Sequence, residues 1–334
     1  MASYKITWIP RSAYATPLQS DTIFGHLCWA VRYLFDDGGH KLEEVLEELK
    51  QRSALLISSA FPKGQLPRPA LSLNHGKLAR LGARLREEFP GIDDEVAYAL
   101  NKKARKHPFV EICQLQENSF AYSAEEFQYS LLRQFAIEAA RKGEPGGEKD
   151  AGLKQDGIEF HNKIDRVSGT TDGTGELFAS PVSYLATTME SYLETNLFAE
   201  EELKAIFAHI ALTGFGKDKN TGKGRFEIKV EPYTWADCPR FNAYLNLSNM
   251  VPADTDPVLA SCDSGTKFPR VGGDLATTAT PFKFPLYVIR PGSVFFAEDE
   301  AQRPRGTLLG NVHPDPRIVQ NLYSYNIPLL ITGS

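Results

Sequence analysis

The stretch LTGFGKDKNTGKGRFEIKV at residues 212–230 decides how the rest of this chain is interpreted. Four glycines are interleaved in it with four cationic side chains, at Gly214, Gly216, Gly222 and Gly224 and at Lys217, Lys219, Lys223 and Arg225. Glycine lets a backbone approach a ligand closely and adopt positive φ. Free backbone N–H groups flanked by cations are typical of a loop that holds a phosphate chain. The stretch therefore predicts a phosphate-binding loop, although a solvated connection rich in glycine and lysine is the simpler alternative.

The residues on either side of this loop predict a helix before it and a strand after it. Apolar residues recur at helical spacing over residues 200–212, and Phe226 and Ile228 alternate with polar residues in the strand pattern that follows. Walker A loops and dinucleotide-binding fingerprints both place a helix after their glycines. A strand follows here, and five residues separate Gly216 from Gly222 where a Walker A loop has four. Neither of these loops is therefore predicted.

The composition is that of a soluble globular protein large enough for two domains. The chain has 334 residues, of which 42% are hydrophobic and 24% are charged. Its net charge of −5 is opposite in sign to that of most free-standing nucleic-acid binders. Any contact with nucleic acid is therefore expected to be local.

The cysteine spacing and the length of the hydrophobic runs indicate which metal sites, disulfides and cellular locations are expected. The four cysteines are scattered without a C-x-x-C spacing, at Cys28, Cys113, Cys238 and Cys262. This spacing argues against a zinc knuckle and a disulfide framework, and it fits reduced thiols. No apolar run reaches transmembrane length, and residues 1–10 lack the pattern of a signal peptide. We expect a cytoplasmic protein without membrane contact, bound metal or cofactor.

The predicted elements around the loop follow an order that is typical of a small α+β domain. Alternation predicts a strand at residues 4–9, and an apolar face predicts a helix at 20–35. A long hairpin with a polar tip is predicted around residues 158–187, ahead of the helix at 200–212 and a strand at 225–231. This β-α-β-β-α-β order is that of the ferredoxin-like split βαβ fold, which RNA-recognition sheets share.

A large, mostly helical insertion is predicted after the first helix, at about residues 37–155. Helical patterns occupy residues 77–106 and 125–142, with a strand pattern at 109–114 between them. Beyond residue 235 the sequence predicts further strands, at residues 241–247, 283–290 and 294–296 and within 318–330.

Three segments of the chain, taken together, resemble the RAMP superfamily of CRISPR effector proteins. They are PLQSDTIFGH at residues 17–26, HNKIDR at residues 161–166 and GFGKDKNTGKGRF at residues 214–226. Within the superfamily they are most similar to subunits of type III-A (Csm) effector complexes that bind the 5′ end of the guide RNA. The three motifs in this order cover roughly residues 1–230, and the match is looser towards the C-terminus.

The resemblance implies an α+β fold with two ferredoxin-like (RRM-like) domains. The first would span residues 1–232, with the insertion at about 37–155 and a thumb hairpin at about 158–180, and the second would span residues 235–334. It also implies a non-catalytic subunit that caps the repeat-derived 5′ tag of the crRNA in antiviral defence. Its expected partners are the crRNA, the large palm-domain (polymerase/cyclase) subunit and a backbone RAMP subunit.

The RNA-binding residues that the resemblance and the loop chemistry indicate come from the three motifs. They are Ser20, Asp21, His26, His161, Asn162, Lys163, Arg166, Gly214, Phe215, Gly216, Lys217, Lys219, Gly222, Lys223, Gly224 and Arg225. Phe215 and Phe226 are candidates for stacking on bases, because unpaired bases expose their faces. Aromatic residues next to a strand are equally expected in the core.

Three other functions fit parts of the same sequence. A metal-independent endoribonuclease that processes precursor crRNA would use His26, or His161, as its general base. A target-cutting backbone subunit would need a loop aspartate beside a divalent metal, for which Asp165 and Asp172 are available. A binder of small phosphate ligands is the third alternative, and the reversed loop order argues against it.

Overall fold

The computed structural model describes residues 1–35, 40–142, 154–162, 177–297 and 299–333. Within these residues the α-helices are α1 (Ser20–Phe35), α2 (His40–Gln51), α3 (His75–Glu88), α4 (Asp94–Arg105), α5 (Ile112–Glu117), α6 (Ala124–Lys142) and α7 (Glu200–Thr213). The strands of the first 250 residues are β1 (Ala2–Pro10), β2 (Leu55–Ile57), β3 (Phe61–Pro62), β4 (Gln65–Pro67), β5 (Phe109–Glu111), β6 (Ala121–Tyr122), β7 (Lys154–Asn162), β8 (Leu177–Leu185), β9 (Met189–Thr195), β10 (Phe226–Pro232) and β11 (Ala243–Asn246). The later strands are β12 (Ala260–Ser261), β13 (Ser264–Lys267), β14 (Leu286–Ile289), β15 (Val294–Phe296), β16 (Gly306–Leu309), β17 (Gln320–Tyr323) and β18 (Asn326–Ile331).

The first sheet has the strand order β10-β1-β9-β2, and every neighbouring pair is antiparallel. Alternate residues of β1 point to opposite faces, so Ile6 and Trp8 are buried on one side. Helices α1 and α7 contribute their apolar stripes to the same core, for example through Leu27 and Phe207. Trp8 contacts Phe207 edge-to-face with ring centroids 5.8 Å apart. Such pairs add about 0.5–1.5 kcal/mol to the free energy gained by burial.

The predicted elements next to the loop are confirmed at their positions. The strand at 4–9 is β1, the helix at 20–35 is α1, the helix at 200–212 is α7 and the strand at 225–231 is β10. The prediction of a mixed α+β chain is confirmed with them.

The place of the hairpin in this sheet was predicted wrongly. Strands β7 and β8 pair with each other and with no strand of the first sheet in the described part of the chain, and an isolated bridge joins Ser183 to Tyr14. The inner strand next to β1 is β9, and β2 lies at the far edge. Strand β9 is buried on both faces and β2 has only three residues, so neither shows the clear alternation that the hairpin strands show.

The second sheet has the order β12-β15-β11-β18-β6. Strand β6 comes from the insertion and pairs in parallel with β18, so the insertion and the C-terminal region share a sheet. Residues 235–297 and 299–333 contain no α-helix, and only short 3-10 turns interrupt their strands. The implied second ferredoxin-like domain therefore needs correction, because the described C-terminal region lacks the two helices of that fold.

Within the predicted insertion, helices α3, α4 and α6 have a core of their own, whereas α2, β2 and β3 belong to the first core and sheet. Helices α3, α4 and α6 bury Leu85, Ala104 and Leu132 among one another. Asn74 and Asp93 cap α3 and α4 by accepting the N–H groups of residues three positions on. The strand predicted at 109–114 ends after Glu111, where α5 begins.

Candidate nucleic-acid interface

The glycine loop leaves α7 at Gly214 and enters β10 at Phe226. Gly214 has a φ of 81° and donates its N–H to the Ile210 carbonyl at 2.9 Å, which caps the helix. Gly224 has a φ of 65°, and a Cβ there would lie 2.0 Å from the Phe215 carbonyl oxygen. The two ends of the loop close on each other, because the Phe215 N–H donates to the Gly224 carbonyl at 2.8 Å. Only glycine fits at this crossing.

Three side chains outside the loop hold its backbone. The Gly216 N–H donates to His26 Nε2 at 2.9 Å, and the Lys217 N–H donates to Thr16 Oγ1 at 2.8 Å. Ser12 Oγ accepts the Arg225 N–H at 2.9 Å. Sequence reasoning missed Ser12 and Thr16, because isolated hydroxyl residues carry no signal of the backbone that they will meet.

These bonds correct the prediction that the loop offers its backbone freely to phosphates. The N–H groups at residues 215–217 and 224–225 are already bound within the chain. At the tip, the N–H groups of Asp218, Lys219 and Asn220 donate to no acceptor in the described part of the chain. Phosphates would therefore meet the tip and the side chains, while the flanks of the loop act as its support.

Two of the four loop cations are exposed. Lys217 and Arg225 point to solvent, and Lys217 Nζ lies 3.7 Å from Asp218 Oδ2. Lys219 is half-buried. Lys223 is 7% exposed and forms an ion pair with Glu159 of β7, whose pKa is lowered by the hydrogen bond from Lys223. The prediction that Lys223 contacts RNA needs correction, because its ammonium group ties the hairpin to the loop.

The His26 ring stacks on the Phe215 ring with centroids 4.4 Å apart. Burial, with a smaller contribution from the charge of Lys219, lowers the pKa of His26 to about 3. The imidazole is therefore neutral at physiological pH, and its Nε2 is occupied as a hydrogen-bond acceptor. His26 supports the shape of the loop.

Phe215 is buried with the aromatic side chains of the first core. It is 0% exposed and lies edge-to-face with Trp8, with ring centroids 5.6 Å apart. Phe226 is buried in the same core and meets Trp8 at 5.7 Å. Neither ring is open to a base, so the prediction that these residues stack on RNA is corrected to a role in the core.

A model of the RAMP superfamily matches residues 15–227, which is more than half of the chain. The chain belongs to the RAMP superfamily. The match includes α1, the glycine loop and the first residues of β10.

Solved structures with a similar fold come from CRISPR complexes. A chain of the Csm1-Csm4 cassette in complex with cA4 aligns at a TM-score of 0.55 and 14% identity, over 99% of this chain and 100% of that one. A chain of the same cassette in complex with pppApA aligns at a TM-score of 0.53 and 13% identity, over 100% of both chains. A chain of the Csm3-Csm4 subcomplex of the type III-A interference complex aligns at a TM-score of 0.53 and 15% identity, over 98% of this chain and 99% of that one. At these identities the likeness shows the fold. A search of curated protein sequences gave no significant match.

Two polar residues of the first motif are buried in this RAMP protein. Ser20 Oγ accepts the Asn249 N–H at 2.9 Å, and Asp21 is bound by Lys267 at 2.5 Å and by the Gln320 amide. Both residues are 5% exposed. Their predicted contact with RNA is corrected, because they join the start of α1 to the C-terminal region.

The second motif of the RAMP pattern lies only partly within the described residues. His161 and Asn162 end β7, and His161 Nε2 lies 4.0 Å from Glu159 Oε2. The predicted contacts at Lys163 and Arg166, and the alternative metal ligands Asp165 and Asp172, lie outside the described residues. On the outer face of the hairpin, Ile158 and Phe160 are 64% and 70% exposed.

The face of the first sheet that carries Lys5 is largely covered in this RAMP protein. Tyr192 lies opposite Lys5 in the pairing of β9 with β1, is 1% exposed and belongs to the second core. Lys5 lies 3.9 Å from both Glu190 and Glu231, and Glu190 is 5% exposed. RNA-recognition sheets present open aromatic rings on one face. The burial here favours the loop as the nucleic-acid surface.

The described residues show neither a metal-binding cluster nor a membrane-spanning helix. No group of three or more His, Cys, Asp or Glu side chains is arranged to hold a metal ion there. Among the described helices, none combines the length and apolarity that a bilayer crossing needs.

Proposed function

We propose that this protein is the crRNA-binding subunit that holds the repeat-derived 5′ tag in a type III-A (Csm) effector complex. Membership of the RAMP superfamily and the full-length likeness to chains of Csm complexes support this assignment. The main observation behind this assignment is the geometry of the glycine loop. Three side chains outside the loop hold its backbone, Lys217 and Arg225 are exposed, and three tip N–H groups donate to no acceptor among the described residues. A rigid cationic surface of this kind suits the phosphates of one RNA strand.

The proposal includes a finer description of the fold and partners. The strand order β10-β1-β9-β2, with α1 and α7 on one face, supports a ferredoxin-like first domain. The similar solved chains are found with Csm1 and with Csm3. By analogy, this subunit would bridge the large palm-domain subunit to the first backbone RAMP subunit, in the cytoplasm. The hairpin β7–β8 would serve as the thumb.

We propose further that the subunit is not a nuclease. A general base works best when its pKa lies near the operating pH. His26 has a pKa of about 3 and already accepts the Gly216 N–H, so it is a poor proton acceptor at pH 7. These two facts favour a supporting role for His26 over the endoribonuclease alternative. Incubating purified protein with repeat RNA and EDTA tests this point, and cleavage that disappears in His26→Ala would reverse the conclusion.

The assignment as a whole is tested on the assembled complex. The tagged chain is purified with its complex, the bound RNA is sequenced from its 5′ end, and native mass spectrometry counts the copies of each subunit. We expect RNAs with a common repeat-derived 5′ sequence and one copy of this chain. Several copies per complex would assign the chain to the backbone filament.

A further inference from the structure

The first turn of α1 is held from the C-terminal region by a buried ion pair. Lys267 of β13 donates to Asp21 Oδ1 at 2.5 Å, and the side chain of Asp21 is 1% exposed. The same ammonium group donates to Gln19 Oε1 at 2.7 Å and lies 3.4 Å from Thr22 Oγ1. A lysine ammonium has three N–H donors, and all three are used within residues 19–22. Lys267 therefore fixes both the axial position and the rotation of this end of the helix.

Two further residues of the C-terminal region reach the same carboxylate. Gln320 donates through Nε2 to Asp21 Oδ2, and Asn249 Nδ2 lies 3.1 Å from Asp21 Oδ1. Gln320 Oε1 accepts from Lys283 at 2.7 Å. An ammonium group only donates, so Lys283 determines which way the Gln320 amide faces. Segments that are far apart in the C-terminal sequence thus converge on one residue of α1.

Helix α1 transmits this fixed position to the glycine loop. His26 follows Asp21 by five residues, which is about 7.5 Å along a helix. Its Nε2 accepts the Gly216 N–H at 2.9 Å, and its ring stacks on Phe215. A contact beyond about 3.6 Å is no longer a hydrogen bond, so a displacement of His26 by about 1 Å would break this support.

The segment before α1 is restrained by the same lysine. Thr16 accepts the Lys217 N–H at 2.8 Å and lies three residues before Gln19. Because Gln19 is bound to Lys267, the chain between the loop support and the helix has little freedom to shift. Two of the three side chains that hold the loop, Thr16 and His26, therefore flank the residues that Lys267 binds.

We propose that Lys267 is a positioning residue for the RNA-binding loop, and that it sets the places of His26 and Thr16 without touching RNA. The inference rests on the proposed function. It gives the C-terminal region a part in RNA binding that requires no contact with the strand. A loop that is already held in its bound shape loses less conformational freedom on binding, and the difference appears as affinity.

The test replaces both members of the ion pair, as Asp21→Asn/Lys267→Met. Removing one partner leaves the other charge buried, whereas replacing a whole buried pair by uncharged residues of similar volume is often close to neutral for stability. By turning its amide, Asn249 can accept from the introduced side chain, because its Oδ1 has no hydrogen-bond partner among the described residues. The variant therefore keeps the packing and removes the contacts of the ammonium group.

Glu194→Gln/Arg303→Met is the matched control. Arg303 lies 3.7 Å from Glu194 of β9, so this pair also joins the C-terminal region to the first sheet. Neither residue belongs to α1 or to the glycine loop. A general loosening between the two regions should affect both variants, whereas loss of the positioning contact should affect only the first.

Hydrogen exchange of the free full-length proteins is measured by mass spectrometry in a peptide that covers residues 214–218, which contains the N–H groups of Gly216 and Lys217. We expect exchange there to be about fivefold faster in Asp21→Asn/Lys267→Met, as for the loss of one hydrogen bond, and unchanged in the control. The affinity for single-stranded RNA should fall by about the same factor. The salt slope of that affinity should stay at the wild-type value, because all loop cations remain.

The outcomes separate the positioning role from the proposed function. Equal exchange of the loop peptide in all three proteins overturns the positioning role and leaves RNA binding standing, even where urea unfolding shows a lower midpoint. Faster exchange in the control variant, or faster exchange with wild-type RNA affinity, overturns it as well. A wild-type protein that binds no RNA removes the proposed function and this role together.

A milder variant decides if the double variant fails to fold by circular dichroism. Gln19→Met keeps the ion pair and removes one contact of Lys267. Faster exchange of the loop peptide in this variant supports the positioning role, and wild-type exchange overturns it.

Discussion

Replacing Gly224 by alanine should break the hydrogen bonds that hold the glycine loop in place and destabilise the fold. A Cβ at this position would lie 2.0 Å from the Phe215 carbonyl oxygen, at a φ of 65°. Left-handed backbone costs a residue with a Cβ about 1–2 kcal/mol. The clash also displaces the hydrogen bond from Phe215 to Gly224, which contributes about 1 kcal/mol more. The expected loss in the free energy of unfolding is about 3 kcal/mol.

Gly222→Ala is the matched control for this prediction. Gly222 has a φ of 91°, but a Cβ there meets nothing within 4 Å. This variant carries the backbone strain without the clash, so its loss should be about 1–2 kcal/mol.

The assay is urea unfolding followed by tryptophan fluorescence, since Trp8 packs against Phe215. With a slope of about 3 kcal/mol per molar urea, the midpoints should fall by about 1 M and about 0.5 M. Equal midpoints for the two variants would show that the two ends of the loop do not cross closely, and would refute the loop geometry described above.

Three further outcomes follow from contacts away from the loop tip. Glu159→Gln should increase proteolysis of the hairpin at neutral pH, because it leaves the Lys223 ammonium buried without its anion. The folded-state pKa of Glu159 is lowered, so in the wild-type protein this ion pair is present above the unfolded pKa of the carboxyl group and is lost as the pH falls through the lower folded-state pKa. The resistance of the hairpin to proteolysis should therefore fall with pH in the wild-type protein and should not change with pH in the variant. Burial raises the pKa of the Cys28 thiol to about 12, so iodoacetamide at pH 8 should alkylate exposed Cys113 first, as peptide mass spectrometry would show. Asp21→Ala should lower the free energy of unfolding by about 3–5 kcal/mol in urea titration, because it removes the anion of a buried ion pair, and a loss below 1 kcal/mol would contradict that burial.

Local sequence patterns predicted the elements that form the loop and its support. Helix α1 begins and ends where the apolar spacing predicted, and β10 follows the glycines as expected. These elements carry their signal in their own residues, because one face of each is apolar and the other polar. The loop position follows directly from them.

Strand pairing was harder to predict, because it depends on residues far apart in the chain. The hairpin strands alternate clearly but face solvent on one side, and β9, the true inner strand, is buried on both faces. Among the described strands of the first sheet, β2 pairs only with β9, which begins more than 130 residues after β2 ends. Nothing local to Leu55–Ile57 indicates this partner.

The chemistry of the candidate site was predictable only in part. Glycine and lysine composition indicated the loop, and Lys217 and Arg225 are exposed as that interpretation requires. Sequence could not show that Phe215 turns into the Trp8 core, or that Lys223 is neutralised by Glu159. Both features depend on tertiary contacts, which the local sequence pattern of an open polar loop does not reveal.

The central claim is that the exposed cations of the glycine loop hold the phosphates of one RNA strand. The most direct measurement is the affinity of Lys217→Ala/Arg225→Ala for single-stranded RNA across a salt series. Lys50→Ala/Arg52→Ala removes the same two charge types from the exposed end of α2 and the residue following it, and serves as the control. Each phosphate contact on a single strand contributes about 0.7 to the slope of log affinity against log salt. We predict that the loop variant binds more weakly with a slope shallower by about 1.4 while the control keeps the wild-type slope, and equal slopes in all three proteins would contradict the claim.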